Sequence, residues 1–300
     1  MKKPLLKALI LLPLVFSCQK NEILSEEEHR KEIEAWHEEK MTSLKAENGW
    51  LNLIGLYWLE EGGNSFGSGE SMDFKLENST FPVELGVFFL EEGKVYFEPL
   101  VNEVKSDGIA VEGKTLIFDA ENKITKPLSY KSLHWLIIKR ADAYGVRLRD
   151  YEAESVRNFK GVEQFPIDLN WRLQARFIPY ESSKTIAITN VIGQTTQNPC
   201  PGYLEFEIAD KTFRLDALEA EEEDELFLIF ADETSGRETY GGGRYMYVKR
   251  ADVSGRVILD FNKAYNPPCV YTPHATCPLP PRQNMLDVAI SAGHKNYGDH

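Results

Sequence analysis

Five arginines stand in patterns that could bind an anion. Arg147 and Arg149 occupy alternate positions of VRLRD (146–150), so in a strand they share one face, opposite Val146 and Leu148. Arg172 and Arg176 share a face of WRLQARF, and Arg244 closes a run of three glycines. A guanidinium presents a planar donor fork that matches carboxylate or phosphate, so a shared face predicts an anion-binding surface. The competing expectation is cross-strand pairing with Asp150, Glu205 and Glu207. A second cluster lies in DETSGRETYGGGR (232–244), after the apolar run LFLIFA. There Asp232, Thr234 and Ser235 can cap a turn, and Gly241–Gly243 permit positive φ and close approach. Glu238, Tyr240 and Arg244 become candidate ligand contacts, joined by Asn262 of DFNKAYNPPC (260–269). Tyr265 and Tyr271 are candidate stacking groups in the Pro-rich loop that follows.

These segments predict a site of Arg147, Arg149, Glu238, Tyr240, Arg244 and Asn262, binding a small anionic or sugar-like ligand. A hydrolase is the alternative, with Glu238, Asp260 or His274 as acid–base groups near Ser235. Thr-Ser-Gly lacks the glycines that flank a nucleophile elbow. In a third reading the same loops bind a protein partner. Whether the chain is an enzyme stays open. No metal or other cofactor is expected. The six histidines show no HxH or HExxH spacing, and the cysteines show no CxxC. The acidic run Glu219–Glu225 lacks the glycine turn of an EF-hand loop and reads as a solvated hairpin.

The positioning elements are strands. Apolar runs such as WLNLIGLYWL (50–59), ELGVFFL (84–90), HWLIIKR (134–140), ELFLIFAD (225–232) and MLDVAIS (285–291) recur between Gly, Asn and Pro punctuation. The expected fold class is all-β, with two β-sandwich or barrel-like subdomains at 49–140 and 141–300 and a short N-terminal helix. Ser25 with Glu28 predicts that helix by its capping box, running to about Glu47. Its stripe of Ile33, Trp36, Met41 and Leu44 is thin, which predicts a spacer leaning on the body.

The net charge of −13 argues against nucleic acid. Lys2, Lys3 and the apolar run Leu5–Phe16 read as a signal segment over 1–17, too short to span a bilayer. Val15-Phe16-Ser17-Cys18 resembles a bacterial lipobox, which implies cleavage before Cys18 and acylation of its thiol. Residues 18–48 then form a lipidated tether and the polar helix. The residues after Cys18 lack Asp, which resembles an outer-membrane lipoprotein of the bacterial envelope. The partners this implies are the membrane, through the anchor, and a small molecule or an envelope protein. In such an oxidising compartment Cys269 and Cys277 are expected to pair across the Pro-rich loop. Pairings of Cys200 with either remain open.

Two resemblances follow from longer motifs. GWLNLIGLYWL, VRLRD with Phe159-Lys-Gly161, ETYGGGR, DFNKAYNPPC and CPLPPRQN together resemble the family catalogued as domain of unknown function 1684, over about residues 48–295. That family commonly shows Glu where Gln283 and His294 stand here. The first β series, with Gly63-x-x-Phe66-Gly67 and ELG, weakly resembles the forkhead-associated β-sandwich. The arginine that reads phosphothreonine in that fold is missing, so only architecture carries over.

Overall fold

A computed structural model describes residues 24–298 apart from Ala141. The signal-like segment and Cys18 lie outside the described residues. Strands dominate, at 45% against 13% helix, as the alternating apolar runs require.

The first half is a sandwich. One six-stranded sheet orders Leu53–Trp58, Ala143–Asp150, Leu133–Arg140, Leu128–Tyr130, Lys105–Ser106 and Ile109–Ala110. The other orders Phe74–Lys75, Gly62–Gly67, Gly86–Glu91, Lys94–Pro99, Thr115–Asp119 and Ile124–Thr125. Inward residues of both sheets build one core. Trp135 of the first sheet meets Phe66 and Phe97 of the second, each at 5.5 Å between ring centroids. The expected boundary at residue 140 falls inside a hairpin. Ala143–Asp150 pairs with both Leu133–Arg140 and Leu53–Trp58, so Arg147 and Arg149 belong to the sandwich. Its buried Val146 and Leu148 point into the sandwich core, so the strand is central to that sheet.

The second half is one antiparallel sheet that curls into a nearly closed barrel. Its order is Arg244–Lys249, Glu225–Phe230, Lys211–Glu219, Thr195–Ile208, Arg172–Thr189 and Arg256–Asp260. The hairpin of Arg172–Thr189 and Thr195–Ile208 extends beyond the barrel as an arm. At its tip Val191 N–H donates to Cys277 O at 3.0 Å, and Leu279 N–H donates to Thr189 O at 2.9 Å. The expected strand over 285–291 is instead an irregular plug. Its Leu286 and Ile290 enter the barrel core, while Leu286 N–H bonds Ala231 O at 2.8 Å. The segment keeps a single bridge, between Met285 and Ala231, and buries Leu286 and Ile290 without extending it into a strand.

The N-terminal helix, Glu26–Lys45, has the capping box its sequence signals. It is more than a spacer. His29 is buried, with its Nε2 2.7 Å from Asp260 Oδ2, and Glu32 pairs with Lys263 at 2.5 Å. Polar side chains therefore do the docking that the thin apolar stripe cannot do alone.

Candidate functional site

Arg244 starts a strand and is wholly buried (0% exposed). One terminal nitrogen meets Asp232 Oδ2 at 2.7 Å and Ile290 O at 3.0 Å, and the other donates to Ala292 O. Asp232 in turn accepts from Thr234 N–H at 2.8 Å and Thr234 Oγ at 2.6 Å. The glycine run serves this brace. Only Gly243 of the three takes positive φ, at 83°, and a Cβ there would stand 2.5 Å from Phe230 O. The loop is thus folded inward to pin the C-terminal plug, which removes Arg244 from ligand contact. Asn262 is likewise internal. Its Nδ2 donates to Asp168 O at 2.9 Å, and its Oδ1 accepts from Asp168 N–H at 3.1 Å. Glu238 is exposed, while its carbonyl accepts from Asn296 N–H at 2.9 Å. Tyr240 is half-buried against Gly242.

The arginines divide. Arg172 pairs with Asp260 at 3.3 Å, and Arg176 with its cross-strand neighbour Glu205 at 2.8 Å. Arg147 and Arg149 have no carboxylate partner among the described residues. Arg149 donates to Gly49 O and, at 2.6 Å, to Asn52 Oδ1, fixing the turn before the first strand. Arg147 lies 5.9 Å from the ring centroid of Trp50, and Trp50 lines the cleft described next. The six expected residues therefore do not form one site.

The hydrolase constellation is also dispersed. Ser235 Oγ accepts from Asp232 N–H at 3.2 Å, and Asp260 is taken by His29 and Arg172. His274 makes no hydrogen bond to Ser235. Its backbone N–H bonds Thr272 Oγ at 3.2 Å.

A cleft of about 310 Å³ does form, between the N-terminal helix, the barrel edge and the Pro-rich loop. One wall is a continuous aromatic surface. Phe227 stacks on Tyr247 at 4.8 Å and meets Tyr245 edge-on at 5.1 Å. Tyr265 meets Tyr245 edge-on at 6.0 Å and Tyr247 in parallel at 6.3 Å. Tyr245 and Tyr247 share a face because they alternate along the strand Arg244–Lys249. Tyr265 is clipped to them by a mutual backbone pair with Tyr245, both bonds 2.9 Å. Trp50 and Tyr271 add further aromatic surface. Burial raises the phenol pKa of Tyr245, Tyr247, Tyr265 and Tyr271, so these rings are neutral.

The Pro-rich loop is stiffened as expected. Cys269 and Cys277 form a disulfide with their Cα atoms 6.0 Å apart, leaving Cys200 as a buried free thiol. Thr272 Oγ donates to Leu53 O at 2.7 Å and Tyr245 Oη to Pro278 O at 2.7 Å, tying the loop to both halves. This loop brings Asn266, Pro268, Tyr271 and Pro278 to the cleft.

The polar groups of the cleft are few. His294 is buried, and its Nε2 lies 3.3 Å from His37 Nδ1. Burial, with His37, Arg244 and Lys40 nearby, lowers its pKa to about 3, so the ring is neutral at any ordinary pH. His294 Nδ1 and Asn266 Oδ1 have no hydrogen-bond partner among the described residues. The helix contributes Lys40, whose Nζ stands 4.4 Å from the ring centroid of Tyr265 and 5.8 Å from that of Trp36. Burial lowers its pKa, against the opposing pull of Glu39 and Glu225. Among the described residues no His, Cys, Asp and Glu group is arranged to hold a metal ion.

Of the residues lining this cleft, sequence reasoning marked Tyr265 and Tyr271 as candidate stacking groups and missed Lys40, Trp50, Phe227, Tyr245 and Tyr247. His294 and Gln283 were marked only as departures from a family pattern. The first lines the cleft, and the second donates to the buried Asp216 at 2.9 Å.

A family model described as "Protein of unknown function (DUF1684)" matches residues 157–295. A solution structure of an uncharacterized protein from gene locus rrnAC0354 of Haloarcula marismortui is 32% identical. It covers 49% of this chain and 82% of its own, with a TM-score of 0.41. A structure titled for phosphothreonine-dependent FHA domain interactions is 14% identical over 31% of this chain and 92% of its own, with a TM-score of 0.21. No curated protein matches.

Proposed function

The chain belongs to this DUF1684 family of proteins of unknown function, and from that premise we propose that it binds a small sugar-like or anionic ligand in the aromatic cleft. The observation that carries the reading is the aromatic wall of Phe227, Tyr245, Tyr247 and Tyr265 facing a cavity of about 310 Å³. That volume is at the small end of ligand pockets, roughly 300–1,000 Å³, and suits a single ring. The π faces carry negative charge and attract the positive C–H edges of a saturated or aromatic ring. Rigid walls reduce the ordering cost of binding, and the disulfide, the prolines and the backbone clip to Tyr265 all stiffen this one. The test is calorimetric titration with a panel of monosaccharides and small carboxylates, using the wild type and Tyr247→Ala. Tyr247 is 40% exposed, so its loss leaves the barrel core intact. The ligand's affinity should fall by at least about ten-fold, as for a stacking anchor. Equal affinity in both proteins would remove the cleft from consideration.

The same proposal places the protein in a bacterial envelope, acylated at Cys18. Lys2, Lys3, the apolar run and the lipobox-like Val15–Cys18 support it. Intact-mass measurement of the processed protein tests it, and a mature N-terminus beyond Cys18 without acyl mass would refute it.

A further inference from the structure

The cleft has one cation, and it comes from the helix. Lys40 forms no ion pair or hydrogen bond with a carboxylate among the described residues. Its two acidic neighbours are otherwise placed: Glu225 is held by Lys249 at 3.0 Å, and Glu39 is exposed. The Lys40 ammonium is left with only aromatic partners, Tyr265 and Trp36. A half-buried ammonium loses hydration that ring faces replace only in part, so a ligand anion at this point gains more than it would at an exposed lysine. Lys40 also lies where the cleft opens into a broad groove of about 1,300 Å³ between the helix and the barrel edge, which shares Tyr247 and Tyr265 with it. A ring seated on the aromatic wall would therefore carry its charged group toward the mouth.

We propose that the ligand is an acidic monosaccharide, a single pyranose whose ring lies on Tyr247 and Tyr265 and whose carboxylate or phosphate meets Lys40. This rests on the ligand-binding reading above and narrows it. The other polar lining agrees with it. His294 and Asn266 are neutral, so they offer no competing charge. Arg244 is buried, Lys249 and Lys263 sit in ion pairs, and Lys40 is the lysine that lines the cleft, which makes it the specificity-determining residue.

The experiment titrates the full chain with glucuronate, galacturonate, glucose 6-phosphate and neutral glucose, in wild type, Lys40→Met and Lys40→Arg. Inorganic phosphate and acetate are controls. Acidic sugars should bind the wild type roughly 10- to 100-fold more tightly than glucose, the range of one charge-assisted hydrogen bond. Lys40→Met should bring the acidic sugars down to the affinity that the same variant shows for glucose, and Lys40→Arg should retain most of the preference. The uronates and the sugar phosphate separate carboxylate from phosphate as the group recognised. Raising the salt concentration should weaken only the acidic sugars. Glucose binding as well as the acids, or a preference that survives Lys40→Met, would overturn this assignment and leave the cleft reading standing. Binding of no sugar, with a small carboxylate still dependent on Tyr247, would also overturn it. Binding of nothing at all would bring down both. Thermal unfolding of each variant without ligand shows that lost binding is not lost folding.

Discussion

His294 gives the sharpest physical prediction, because its proton is excluded by burial. An imidazole with an ordinary pKa of 6.5 in the unfolded chain is lowered to about 3 in the fold. The sign follows from proton counts. Between these values the unfolded state binds the proton and the native state does not, so stability falls as pH falls. Each unit of that window well below 6.5 costs about 1.36 kcal/mol for one proton. Lowering the pH from about 6.5 to 4.5 should therefore remove about 2 kcal/mol through this residue alone. Carboxylates and His37 also titrate there, so the measurement is a difference between wild type and His294→Gln. The glutamine amide can still donate to His37 Nδ1, which keeps the 3.3 Å contact satisfiable. Urea unfolding of both proteins at the two pH values yields the double difference. The wild type should lose about 2 kcal/mol more than the variant. A gap that stays constant within about 0.5 kcal/mol, the usual additivity error, would refute the claim that the fold excludes this proton.

The brace around Arg244 should behave as structure and not as a ligand contact: Asp232→Ala leaves its charge buried and unpaired and should cost about 3–5 kcal/mol without any ligand present, measured by denaturant unfolding. Replacing Cys269 and Cys277 by serine should cost about 2.5 kcal/mol on the chain-entropy account for a loop closed across 8 residues, with a loss of ligand affinity from the loosened wall. Trp135→Ala should cost about 3–5 kcal/mol, since Trp135 joins the two sheets of the sandwich, and heat-capacity calorimetry should show the first half melting earlier. His29→Ala leaves Asp260 Oδ2 with Arg172 alone, while Oδ1 keeps its bonds from Asn262, and should increase proteolysis within the N-terminal helix while the barrel remains resistant.

Much of the scaffold was legible because it follows short-range rules. Ser25 and Glu28 announce a helix start, alternating apolar residues announce strands, and Cys269 with Cys277 announces a closed loop. The cleft was not legible, because no local rule joins its parts. Tyr245 and Tyr247 read as ordinary alternation in a strand, and Lys40 as one charge among many on a polar helix. Their meeting depends on the helix crossing the barrel edge, and buried polar contacts such as His29 with Asp260 decide that. Arg244 misled for the opposite reason. A glycine run before an arginine suggests a ligand loop, but Gly243 is there so that the backbone can pack against Phe230 and Pro280. The pair Arg147 and Arg149 was expected to share an anion-binding face, and the structure separates their roles into a turn brace and a companion to Trp50.

The docking of the helix has a consequence for the order of events during synthesis. His29 meets Asp260 across 231 positions of chain, and His37 meets His294 across 257. The helix is therefore made long before the residues that hold it. At about 5–20 residues per second the early segment must wait roughly ten seconds or longer with its docking face exposed. The sandwich can condense in that interval, since its contacts lie within its own span. The cleft, by contrast, comes into being only when the helix meets the barrel edge and the Pro-rich loop, and so it reports on completed docking.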